Sequence, residues 1–258
     1  QHISTVSLEQ GEYANTGFTQ WGASGLAAVW AEENTRESIF NAFRRKETFA
    51  TTGTRIAVRF FGGYDLSSID LNSESIVSEA YQKGVTMGSD LLNDENKNPE
   101  FLVWAQRDKN GAPLQRIQII KGWIDANSGR PEEKVFDVAC SDGLQPDSLT
   151  NRCPDNGARV NINDCSITTN VGSSELKTIW KDPEFVPADK TFYYVRVLEN
   201  PTCRWSTWDA IKAGFKPREG LHETIQERAW SSPIWYIPEQ SDVEVIPLGG
   251  TIQLRNID

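Results

Sequence analysis

The sequence predicts an α+β protein that is mostly β: a capped helix near the front, followed by a β-rich, sandwich-like region. Three observations predict this. Residues 29–55, VWAEENTRESIFNAFRRKETFATTGTR, combine helix-capping residues, a short apolar stripe and a glycine turn. From residue 55 onward, short apolar segments alternate with polar residues and are separated by clusters of Asp, Asn, Gly and Ser. Nine tryptophans supply large rings of the kind that fill sheet cores. At 258 residues the chain can bury one good core, or one core and a smaller subdomain.

Residues 1–24 read as loop, with few apolar positions. The helix follows. Asn34 or Thr35 can accept from an early helical N–H, and Glu37 stands three residues after Asn34, approximating a capping box. Ile39, Phe40 and Phe43 form one apolar stripe. Arg44, Arg45 and Lys46 put positive charge at the negative end of the helix dipole. Residues 49–52 read as extended, and Gly53 supplies a turn residue that tolerates positive φ. Strands are expected at 55–61, 101–107, 115–124, 134–139, 191–198 and 232–236, with a further one at 251–254. Asp108-Lys-Asn-Gly is a turn signal, and predicts a hairpin between two of these strands. Residues 69–84 are ambiguous between a short helix and a strand after a polar loop. The Asn/Asp/Glu-rich stretch at 93–100 reads as a solvated loop; it lacks the spacing of an EF-hand calcium loop. A second short helix is expected at 207–213, capped by Ser206 or Thr207 and ended by Gly214.

The block at 29–55 resembles one in the DUF3604 group of PHP-like (polymerase and histidinol phosphatase-like) metal-dependent hydrolases. Three later segments extend the resemblance in the same order: FLVWAQRD with IQIIKGW, FYYVRVLENPTCRWS, and QERAWSSPIWY. The resemblance covers most of residues 25–238, with one departure: Thr54 stands where proline is expected, which leaves the turn less fixed in φ. It implies a barrel-like catalytic core holding divalent zinc, manganese or iron through His, Asp and Glu. Such metals would activate water against a phosphate or similar anionic ester. On this basis residues 1–54 are the C-terminal remnant of the catalytic domain, with the helix closing it. Residues 55–258 are then a β-rich accessory domain with a disulfide-stapled loop region at about 140–203.

The chain itself has two histidines, His2 and His222, neither in an HxH or DxH pair. A multinuclear site needs more imidazoles, so its motifs are expected upstream of Gln1 and no metal is expected in this chain. The N-terminus, which opens on Gln rather than Met, reads as cut. The implied partners are the missing catalytic domain of the same polypeptide and a small anionic substrate. His2, nearest the missing core, is a remote candidate for a last ligand.

Lysine and arginine number 26 against 36 acids, a net charge of -10. This disfavours bulk attraction to nucleic acid, while leaving room for a local cationic pocket. No run of about 18 apolar residues predicts a membrane span. The four cysteines, Cys140, Cys153, Cys165 and Cys203, show no CxxC and no nearby histidine, against a zinc site. They permit three pairings. Cys140–Cys153 closes a local loop and Cys165–Cys203 ties the Asp/Asn/Gly-rich excursion to the strand ending near Leu198, which favours this pairing over the other two. Two disulfides point to a periplasmic or secreted protein; free thiols in the cytosol are the alternative.

Candidate cleft residues are Glu32 and Glu33 as catalytic carboxylates, and Arg36 and Arg55 as substrate-binding cations. Each also has a structural reading. Carboxylates complement a helix N-terminus, and arginines on strands form ordinary ion pairs. Arg196, Arg204 and Arg228 lie beside aromatics and read first as structural pairs or cation–π partners. GxSxG, GxxxxGK[ST] and GxGxxG motifs are absent, so a nucleophile elbow or nucleotide site has no support. The competing functional reading is a β-sandwich binding module whose surface tryptophans hold a carbohydrate or a protein partner.

Overall fold

A computed structural model describes residues 22–94, 97–125 and 128–238. Two antiparallel-dominated sheets face each other across one core, and neither closes into a barrel. In chain order the elements are β1 (Leu26–Val29), α1 (Arg36–Arg44), β2 (Thr48–Thr51), β3 (Ala57–Gly63), a 3-10 turn (Leu66–Ser68) and α2 (Ile76–Lys83). Next come β4 (Gly84–Thr86), β5 (Asp90–Leu92), β6 (Glu100–Gln106), β7 (Leu114–Ile124), β8 (Pro131–Cys140) and β9 (Glu175–Lys181). The last are β10 (Lys190–Glu199), β11 (Thr202–Cys203), α3 (Trp205–Lys212), β12 (Thr224–Ile225), β13 (Arg228–Ser231) and β14 (Ile234–Ile237).

The large sheet is organised around β10. One edge of β10 pairs with β7, and β7 with β8; the other edge is shared by β13 and β14. β13 continues through β2 to β1, and β14 pairs in parallel with β5. The smaller sheet runs β4-β3-β6-β9. Alternate residues of the central strands fill the space between the sheets: Val58 and Phe60 of β3, Phe101 and Val103 of β6, Ile117 and Ile119 of β7, Tyr193, Val195 and Val197 of β10. This is period-two patterning with one face buried. A satellite cluster packs α2 and the 3-10 turn on the outer face of the small sheet through Phe61, Leu66, Ile76, Ala80 and Leu102.

The core also buries an ion pair. Lys121 Nζ lies 2.7 Å from Asp182 Oδ2, with side chains 4% and 0% exposed. The Tyr193 hydroxyl donates to the same carboxylate at 2.7 Å, and Lys121 donates to the Glu184 carbonyl at 2.7 Å. Burial, followed by the Asp182 charge, pushes the Tyr193 phenol far above its ordinary range.

Several elements differ from the sequence reading. Thr35 is the N-cap of α1, accepting from the Ser38 N–H at 3.3 Å, so the predicted Asn34–Glu37 box does not form. Ser38 closes the turn instead: its hydroxyl accepts from the Glu33 N–H at 3.2 Å and donates to Glu32 at 3.0 Å. The helix stops at Arg44, because Lys46 turns the chain with φ of 59°. The apolar stripe of α1 is not buried: Phe40 is 60% and Phe43 51% exposed, and Ala42 is the buried residue. The segment read as the end of a preceding domain contributes β1 and β2 to the large sheet, and Phe49 belongs to the inter-sheet core.

Asp108 does open a turn, with Gly111 N–H donating to its carbonyl at 3.0 Å. The flanking strands β6 and β7 nevertheless lie in different sheets, so this is a crossing between layers and not a hairpin. The ambiguous segment ends as helix α2, where Ile76 and Ala80 sit one turn apart on the buried face. Helix α3 begins at Trp205, two residues earlier than expected, with Arg204 at its N-cap position and Gly214 past its end at φ 77°. The expected strand at 251–254 lies outside the described residues.

Candidate functional site: a cationic cavity beside the disulfides

The two disulfides are Cys140–Cys153 and Cys165–Cys203, with Cα separations of 5.7 and 5.6 Å. They anchor the turn-rich excursion between β8 and β9 against the ends of β8 and β11. That anchoring creates a cavity of about 730 Å³. Its floor is β7, through Gln115 and Arg116. One wall is the stapled excursion, through Cys153, Pro154, Asp155, Ala158 and Arg159. The other wall is the β11–β12 ribbon and the start of β13, through Pro201, Arg204, His222, Thr224, Ile225, Gln226 and Arg228.

Four arginines therefore line one cavity of an acidic protein, against one carboxylate, Asp155. Asp155 is engaged by Arg159 through two contacts of 2.6 and 3.1 Å, and this pairing holds its carboxyl down at about 2. Arg116 lies 3.6 Å from buried Asp137, and its Nε makes no hydrogen bond. Burial lowers the Arg116 pKa, and the neighbouring charges of Arg152, Arg196 and Arg228 push the same way, opposed by Asp137. Asp137 also accepts from the Cys153 N–H at 2.7 Å and from Gln118 at 2.6 Å, which ties the stapled loop to the sheet. The Arg228 Nε donates to the Gln226 carbonyl at 3.0 Å, and Gln226 reaches Gln115 at 2.8 Å. Arg204 is 7% exposed and donates to Ser206 at 2.6 Å.

Charges that are close in sequence are segregated. In the sequence QER, Gln226 and Arg228 line the cationic cavity while Glu227 between them lines a separate one; likewise Arg204 lines one cavity and Cys203 the other. Arg204 and Arg228 do stand over Trp205 and Trp230, at 5.0 and 5.9 Å from the ring centroids, as the sequence reading expected. Convergence on a shared cavity was not legible from their positions, which are 24 residues apart in sequence.

Of the carboxylates and cations predicted at the front of the chain, Glu32, Glu33 and Arg36 stay at the entry to α1, outside the cationic cavity, and Arg55 lies elsewhere. Glu32 pairs with Arg45 at 3.1 Å and lines a depression of about 650 Å³ with Glu47, Arg59 and Tyr81. Hydrogen bonds from the backbone and Ser38 lower its pKa. Glu47, which sequence reasoning passed over, is the buried carboxylate here, held by Arg45 at 3.4 Å, by Thr86 at 3.2 Å and by the Tyr81 hydroxyl. Glu33 and Arg36 are exposed at the start of α1. Arg55 sits apart, its N–H donating to Asp108 at 2.8 Å. His2 lies outside the described residues.

The family model for "Protein of unknown function (DUF3604)" matches residues 2–238. The chain belongs to the DUF3604 family. No curated protein and no solved structure matches it. In this DUF3604 chain the transition-metal cluster implied by the PHP-like resemblance does not fit the described residues. His222, the described histidine, lines a cavity it shares with four arginines, and no three His, Cys, Asp or Glu side chains converge on a metal-binding group among the described residues. The tryptophans divide by role. Trp30 and Trp104 spend their N–H groups on Val58 and Glu175, at 2.8 and 2.7 Å, and Trp180 packs on the core. Trp123 and Trp235 flank Phe192 in an outer groove of about 500 Å³.

Proposed function

We propose that this chain is the anion-holding part of a metal-dependent hydrolase acting on a phosphate or similar anionic ester, with the metals bound by residues outside it. The observation that carries the reading is the cavity lined by Arg116, Arg159, Arg204 and Arg228 in a chain of net charge -10. Guanidinium groups present paired N–H donors to phosphate or sulfate oxygens. In this reading Arg204 and Arg228 bind the anionic group, and Gln115 and Gln226 orient it. The ester bond itself would lie towards the partner domain. The two disulfides support a periplasmic or secreted location for such an enzyme.

Titration calorimetry with phenyl phosphate tests the cavity. One site per chain is expected, and Arg204→Ala or Arg228→Ala should each weaken it roughly 10- to 100-fold, the value of a charge-assisted hydrogen bond. Absence of binding, or binding indifferent to both substitutions, overturns the assignment. The gene upstream of Gln1 tests the hydrolase: HxH and Asp-Thr-His-like motifs support it, whereas a signal peptide joined directly to Gln1 sinks it. A second reading rests on the groove of Trp123, Phe192 and Trp235, with Trp235 45% exposed, whose geometry suits the flat face of a carbohydrate.

A further inference from the structure

On the other side of the β11–β12 ribbon lies a cavity of about 430 Å³ with the opposite chemistry. Glu199 and Glu227 line it with Thr54, Asn110 and the Cys165–Cys203 disulfide. Backbone pairing brings the two glutamates side by side, the Glu199 N–H donating to the Glu227 carbonyl at 2.9 Å. Glu199 is 0% exposed, and neither of its carboxylate oxygens is closed into a hydrogen bond of good geometry, although the Thr54 hydroxyl and the Ala112 N–H stand near them. No hydrogen bond of good geometry closes on the buried Glu227 Oε2 or Thr54 Oγ1 either. A Cβ on Gly111 would stand 2.8 Å from Glu199 Oε1, so the glycine leaves room in front of that oxygen. Asp108, the nearest further carboxylate, is engaged by the N–H groups of Arg55 and Asn110, at 2.8 and 2.9 Å.

Buried carboxylate oxygens without well-formed hydrogen bonds are strongly unfavourable, and something must neutralise them. A proton serves at most two of these oxygens. A hard divalent ion serves them all, and a set made only of oxygens, with no nitrogen or thiolate, is the donor type such ions select. The geometry points to a binding site for one hard divalent cation, calcium by ligand type, held by the carboxylates of Glu199 and Glu227 and the Thr54 hydroxyl, with water completing the shell. The site is independent of the anion-holding role of the neighbouring cavity, because its ligands point to the other side of the ribbon.

The test is calorimetric and thermal, on the whole chain stripped with EDTA. Calcium chloride should bind with one ion per chain and raise Tm by about 5–10 °C at a hundredfold excess over Kd. Glu199→Gln should abolish both responses yet melt no lower than the native chain in EDTA, since it removes a buried charge while keeping its volume. Glu227→Gln should weaken binding at least tenfold. If the native chain binds no calcium, or Glu199→Gln binds it unchanged, the site is refuted. If stability instead follows pH identically in calcium and in EDTA, a shared proton occupies the pair and the proposal falls.

Discussion

Replacing both members of one disulfide by alanine isolates what each crosslink contributes. Alanine is the right substitute at Cys165 and Cys203, which are 4% and 5% exposed, because serine would bury an unpaired hydroxyl. The crosslinks span 13 residues for Cys140–Cys153 and 38 for Cys165–Cys203. Loop closure in the unfolded chain then predicts losses of about 3 and about 4 kcal/mol respectively. For a chain of this size the larger loss lowers Tm by about 8–16 °C. The assay is urea unfolding of the two double variants beside the native chain without reductant, with thiol titration confirming that the other bridge stays closed. The Cys140→Ala/Cys153→Ala variant should also bind phenyl phosphate more weakly, because Cys153 and its neighbours form one wall of the cationic cavity. A loss below about 1 kcal/mol for either pair, or a larger loss for the shorter loop, would refute the loop-closure argument. Native-state packing of the excursion would then be the dominant contribution.

Two further outcomes follow from buried charge. Asp182→Ala strips the partner from Lys121 and from the Tyr193 hydroxyl. It should cost about 3–5 kcal/mol by urea unfolding, while a joint Lys121→Met/Asp182→Leu exchange should cost less. Glu199 has its pKa pushed up to about 7 from 4.5 by burial, opposed by the nearby Thr54 hydroxyl and Ala112 N–H, with the charges of Glu227 and Asp108 adding smaller upward pushes. Its folded form therefore favours the proton, and its contribution is complete below pH 4.5 and lost as pH rises through 7. In EDTA, stability should decline by on the order of 3 kcal/mol across that window and Glu199→Gln should flatten the decline; a flat profile in the native chain would count against the burial argument.

Much of the β framework was legible because apolar alternation reports a half-buried strand directly. β7 and β10 carry long, unbroken patterns, and they pair along most of their length. The strands that were missed are short, as β4, or polar, as β9 with the sequence ELKTIWK. β9 is specified by its partner β6, and its own residues alternate only weakly. The site was less legible. Reading outward from the helix at the front favoured Glu32, Glu33, Arg36 and Arg55, because sequence neighbours are the only neighbours a sequence displays. The structure keeps Glu32, Glu33 and Arg36 at the exposed entry to α1, sets Arg55 apart beside Asp108, and gathers Arg116, Arg159, Arg204 and Arg228 from three separate parts of the chain.

By itself the sequence determined the mostly β character, the N-cap region of α1, the favoured pairing of the cysteines and the family, since capping, alternation, loop length and motif order are local or ordered properties of the chain. Only the tertiary structure decided that the turn at Asp108 crosses between sheets, that Phe40 and Phe43 stay exposed, and that arginines and glutamates adjacent in sequence open into opposite cavities. Those outcomes depend on which strands pair and on which side of a ribbon each side chain emerges. Alternation along a strand sorts neighbouring residues to opposite sides, and pairing between distant strands then sets what each side meets.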